Sequence, residues 1–159
     1  LEDSISATAL NDYNNFLMFD VDSIENDDNF KQIKDNLGTF IFVFDGASVD
    51  GIEDSEFENV YTNALKERNV KFNNDKASLI SVVIHDPFEK WLFVGHAGVL
   101  IKQNNKYIFF EKLAPNQDYQ ITTFNSKEEL KKELESRPAY SGDGSEHKPM
   151  IYENGELIK

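Results

Sequence analysis

A histidine sits in the middle of the apolar run Trp91-Leu-Phe-Val-Gly-His-Ala-Gly-Val-Leu-Ile101, and a glutamate sits in Lys106-Tyr-Ile-Phe-Phe-Glu-Lys-Leu113. The intervening Asn104-Asn105 reads as the two-residue turn of a β-hairpin, which pairs Gln103 with Lys106. Counting back from that pair sets Gly98 opposite Glu111 and His96 opposite Leu113. Side chains alternate with period two, so all four share one face. Glu111 is then the diagonal neighbour of His96, within reach of a long side chain. Gly98 leaves the space above it open. An imidazole, a carboxylate to orient it and a cleared floor are what a general base requires. A lone histidine in an apolar strand also serves as a core residue bonded to a backbone carbonyl, and the sequence leaves both readings open.

Covalent catalysis beside such a base also needs a nucleophile. Leu10, Tyr13, Phe16 and Leu17 recur at helical spacing, which predicts a helix over 4–19. Ser4 and Ser6 fall at its start, where the helix dipole favours an anion and where a serine also simply caps the helix. The chain contains 0 cysteines, which removes a thiol nucleophile, disulfides and thiolate metal sites. No cofactor is indicated. His85, Asp86, His96 and His147 form no HExxH-like spacing, and the Asp86–Lys90 turn places His85 beside Trp91, away from His96. The acidic stretch Asp20–Asp28 lacks the EF-hand ligand pattern, and Gly142-Asp-Gly144 opens no phosphate-binding helix. Tyr107, Phe109 and Phe110 read as core.

The 159 residues suit one α+β domain spanning 1–159, with a sizeable core supplied by 40% hydrophobic and 13% aromatic residues. A formal net charge of -13 repels phosphate backbones and anionic lipid, so nucleic acid is an improbable partner. No apolar run is long enough to insert in a membrane, no signal peptide is visible, and oligomeric state is not readable.

The remaining elements follow from pattern. Phe30–Leu37 is a short helical piece stopped by Gly38, and Thr39–Phe44 is a strand or buried apolar segment. Ser55–Arg68 is a helix with Phe57, Val60, Tyr61, Ala64 and Leu65 on its apolar face. Ala77–His85 and Tyr119–Phe124 are strands, and Ser126-Lys-Glu-Glu129 is a capping box that opens a helix to Ser136. Pro138–Lys148 is a loop, and Met150–Ile158 closes the chain as a hairpin around Asn154-Gly155. Helices first, then adjacent strands with one late helix, predict a mainly antiparallel sheet.

Gly95-His-Ala-Gly-Val-Leu-Ile101, Phe109-Phe-Glu-Lys-Leu113, Tyr119-Gln120, Ala77–Asp86 and Lys148-Pro-Met-Ile-Tyr-Glu-Asn154 resemble an uncharacterised family of mostly Gram-positive bacterial lipoproteins, known as a domain of unknown function. More broadly, Gly-His-Ala-Gly-Val followed by a polar residue on the next strand resembles the histidine segment of papain-like peptidases and amidases of the NlpC and CHAP kinds. That resemblance implies a papain-like fold with His96 as base and Glu111 as orienter. It puts the nucleophile near Ser4, where those enzymes carry a cysteine. It implies a peptide or cell-wall amide substrate and an extracytoplasmic, secreted or lipid-anchored location. The missing cysteine leaves three options: serine in its place, a degenerate non-catalytic relative, or a nucleophile elsewhere. A non-catalytic binding or structural module is the alternative to an enzyme.

Overall fold

A computed structural model of the protein describes residues 5–6, 36–114, 116–141 and 147–159. Its centre is the hairpin of β5 (Trp91–Gln103) and β6 (Lys106–Lys112). Asn104 and Asn105 take φ of 51° and 58°, the left-handed geometry of a type I′ turn, which asparagine tolerates better than most residues. The register follows from that turn: Gln103 pairs with Lys106 and Gly98 with Glu111. The ladder ends at Gly98, so Leu113 is not a partner of His96. The cross-strand partner of His96 is Val82 of β4 (Ser78–Asp86).

Around this hairpin all strand pairs are antiparallel, in the order β7 (Tyr119–Phe124), β6, β5, β4, β8 (Met150–Glu153), β9 (Glu156–Leu157). A short β2 (Ala47–Ser48) pairs with the start of β5. The architecture is α+β on an antiparallel sheet. Val82 pairs with His96 but Val83 with Val94, so Gly95 is the extra residue of a β-bulge. A Cβ there would lie 2.1 Å from Ile84 Cδ1, which explains the glycine.

Each sheet face has its own core. On the His96 face, Ile80, Val82, Leu100, Phe109 and Ile151 pack under Leu130 and Leu134 of α3 (Lys127–Glu135). On the other face, Val83, Leu92 and Tyr152 pack under Phe57, Tyr61 and Leu65 of α2 (Phe57–Glu67). Both helices form where the apolar spacing places them, each burying residues four apart. Ser126 caps α3 by accepting from Glu129 N–H at 3.1 Å, while Glu129 reaches back to Asn125 N–H at 2.7 Å instead of the cap residue itself.

Three expectations need correction. Ile5–Ser6 is β1, paired with β3 (Lys71–Phe72), and not the opening turn of a helix. The β-branched Ile5 finds a ladder partner and an apolar site against Phe72, Leu79 and Val99, which outweighs helical spacing further along. Residues 7–19 of that predicted helix, and 30–35 of the next, lie outside the described residues. Leu37–Phe44 is helix α1, although Thr39–Phe44 suggested a strand or buried segment and Gly38 a stop. Leu37 and Ile41 bury one face, the Phe40 and Phe44 rings meet at 4.8 Å, and Arg68 satisfies carbonyls at the C-terminal end. Finally, the predicted loop after α3 contains the short helix α4 (Pro138–Ser141).

Candidate active site

The hairpin register delivers what the turn arithmetic implies: His96 Nε2 lies 2.6 Å from Glu111 Oε2. The carboxylate has further partners. Arg137 donates from Nη1 to Oε2 and from Nη2 to Oε1, both at 2.7 Å, a fork-to-fork bidentate pair. Gln120, the ladder partner of Glu111 on β7, donates from Nε2 to Oε1 at 2.9 Å. Each oxygen of Glu111 therefore accepts two bonds, and its side chain is fully buried. Tyr140 of α4 stacks on the His96 ring, with centroids 5.5 Å apart and planes at 28°. The Arg137 guanidinium lies 6.0 Å from the Tyr140 ring centroid.

Burial alone would push the Glu111 pKa up. Hydrogen bonds from Arg137, His96 and Gln120 win, aided by the Arg137 charge, and hold it at about 2. Glu111 also raises the pKa of Arg137 against the opposing effect of burial. Near neutral pH the carboxylate is thus an acceptor only, and Nε2 of His96 must carry the proton it shares with Oε2. In the neutral ring Nδ1 then holds the lone pair. Nδ1 has no hydrogen-bond partner among the described residues. This is the orientation a base requires.

Other features restrict the chemistry. The cleared floor expected at Gly98 is occupied: a Cβ there would sit 2.4 Å from two carbons of the Phe109 ring, so the glycine admits a core aromatic instead of a substrate. The His96 side chain is only 8% exposed. Arg137 neutralises the carboxylate that would otherwise stabilise an imidazolium. Ser4 lies outside the described residues. Its neighbour Ile5 borders a small apolar cavity with Leu79 and Val99, whose side chains point to the sheet face opposite His96.

His85 is also on that opposite face, with its ring 4.7 Å from Phe57, and His147 lies 5.2 Å from the same ring. The two do not converge with His96. Among the described residues no group of three or more histidines and carboxylates is placed to hold a metal. The Asp20–Asp28 stretch and Gly142–Gly144 lie outside them. Phe109 is core as expected, Tyr107 is half-buried, and Phe110 is partly exposed, stacked on Tyr119 at 5.0 Å.

Three members of the site are invisible to turn arithmetic: Gln120, Arg137 and Tyr140. For Gln120 the strand was legible but its register was not. Arg137 lies two residues past the end of α3, three beyond the buried Leu134, and that short spacing was the available signal.

No curated protein and no solved structure matches the chain. A family model does match, over residues 1–158, and its description is "Domain of unknown function (DUF4300)". A match of that extent carries membership, and the protein belongs to the DUF4300 family.

Proposed function

We propose that the protein is a non-catalytic binding or structural module, built on a papain-like strand arrangement, whose histidine–carboxylate pair survives as a structural pin. The observation that carries this reading is the saturation of Glu111 by Arg137 and Gln120. A carboxylate already neutralised by a bidentate guanidinium offers little to a developing imidazolium beside it. The absence of cysteine and the filled space at Gly98 point the same way. In this reading His96–Glu111–Arg137 ties the sheet to the end of α3. The resemblance to lipoproteins suggests that the module works outside the cytoplasm.

One observation favours a second reading. The bond to Glu111 fixes the tautomer that leaves Nδ1 of His96 as a free acceptor. A serine brought to it, Ser4 in the resemblance to NlpC and CHAP enzymes, would attack an amide carbonyl while His96 takes its proton. The test is labelling by a fluorophosphonate probe, read by mass spectrometry on intact protein and peptides. The non-catalytic module gives no adduct. An adduct at Ser4 that disappears in His96→Ala, with hydrolysis of a peptide or cell-wall amide, would overturn it in favour of the hydrolase.

A further inference from the structure

On the His96 face, but at the opposite end of the sheet, a cleft of about 660 Å³ opens between the β5–β6 hairpin, the start of β4 and the first residue of α3. Leu100 and Ser78 line it from the sheet, and Tyr107, Lys102, Lys127 and Glu153 surround it. His96 is four residues from Leu100 along β5, about 13 Å at the rise of a strand, so this is not the site described above. Lys127 and Glu153 also line an adjoining cavity of about 800 Å³ that includes Lys71.

Three lysines, Lys76, Lys102 and Lys127, outnumber the two carboxylates of the lining, Asp75 and Glu153, against the balance of the chain as a whole. The protein carries 29 acidic residues against 16 lysines and arginines. Here two ammonium groups converge on one ring: Lys102 Nζ lies 5.7 Å and Lys127 Nζ 6.0 Å from the Tyr107 centroid. Lys76 lines the same cleft. Lys127 has a carboxylate partner in Glu153, but Lys102 and Lys76 have none among the described residues. Tyr107 thus holds Lys102 at the cleft by a cation–π contact, with no ion pair to a carboxylate among the described residues. The geometry points to a binding site for a small anionic ligand, its phosphate or carboxylate set between Lys102, Lys76 and Lys127, and its body lying along Tyr107 and Leu100. A cleft of this size accommodates a sugar- or nucleoside-sized molecule. The overall negative field opposes anions at long range, so binding relies on these short contacts.

The experiment is a titration of the ¹⁵N-labelled protein followed by amide shifts, with pyrophosphate in one arm and citrate in the other. The site predicts saturable shifts confined to residues around 76–78, 100–107 and 127, in either arm or both. A response to one anion alone assigns the ligand to the phosphate or the carboxylate class. Lys102→Gln should weaken binding at least fivefold with no change in thermal unfolding, because this lysine is exposed. Lys131→Gln, which loses only a pairing with Glu135 on α3, should bind like the parent. Absence of saturable shifts in both arms, or equal affinity in Lys102→Gln, would overturn the assignment.

Discussion

Two arginines are drawn into the interior, and they are used differently. Arg68, just past α2, is 5% exposed and spends its guanidinium on the backbone: it donates to the carbonyls of Phe42, Asp45 and Gly46. Those carbonyls lie at and beyond the end of α1, where the last turn of a helix leaves acceptors without partners. The Asp45 carboxylate is 3.7 Å away and contributes as a charge. Burial lowers the Arg68 pKa and Asp45 raises it. Arg137 instead meets side chains in the contacts described: Glu111 through two bonds, Glu133 at 3.6 Å, and Tyr140 through its ring. The first arrangement supplies donors to backbone carbonyls at and beyond the end of a helix. The second builds a polar cluster on a sheet face that apolar residues could equally have filled. Side-chain clusters of that kind are replaceable as a set, whereas orphaned carbonyls remain whatever the side chains become.

The sharpest way to break this contrast is Glu111→Ala. It removes at once the bidentate partner of a mostly buried guanidinium and the acceptor of an imidazole and an amide. The expected loss is about 3–5 kcal/mol in urea unfolding, as for removal of one member of a buried ion pair. The double variant Glu111→Leu, Arg137→Met should recover more than half of that loss, because it removes the guanidinium together with its bidentate partner. Recovery of nothing would mean that the cluster stabilises through more than mutual satisfaction.

Acid sharpens the same point. The folded pKa of Glu111, about 2, lies below the ordinary 4.5. A carboxylate depressed in this way stabilises the fold above its unfolded value and ceases to do so as pH falls toward the folded one. Stability should therefore decline from about pH 4.5 toward pH 2, by on the order of 3 kcal/mol from this group. Chemical denaturation across that range should show a clearly shallower decline in the Glu111→Leu, Arg137→Met variant. Parallel curves would remove Glu111 as the cause.

The sequence made half of the Arg137 cluster readable and almost none of the Arg68 one. Asn104 and Asn105 specify a turn, a turn specifies register, and register with period-two alternation brings Glu111 to His96. Each step is local. Gln120 joins through the β6–β7 pairing, whose connection of six residues carries no comparable turn signal. Arg137 arrives only because α3 lies down on the sheet through Leu130 and Leu134, a tertiary event. The same sequence logic failed at Leu37–Phe44, where phenylalanine and β-branched residues favour a strand. There a helix survives because its buried stripe and a distant arginine outweigh propensity. Turn-defined geometry is written in a few adjacent residues. Geometry defined by packing is written in residues 23 or more positions apart, as for Arg68 with Asp45 and Arg137 with Glu111.

The smallest expected effect is also the one that separates the two arginines most directly. Arg68→Met retains much of the apolar stem while removing every donor to Phe42, Asp45 and Gly46. It should cost about 2–3 kcal/mol, the scale of buried acceptors left without partners. Adding Asp45→Asn removes the carboxylate and so tests whether charge or backbone dominates. If the carbonyls carry the energy, the double variant unfolds at nearly the same urea concentration as Arg68→Met. Amide exchange should quicken at Phe44 and Asp45, the last turn of α1, in both. A recovery by Asp45→Asn as large as the one expected at Glu111 and Arg137 would make the two arginines equivalent, and the distinction between backbone repair and side-chain clustering would not hold for this fold.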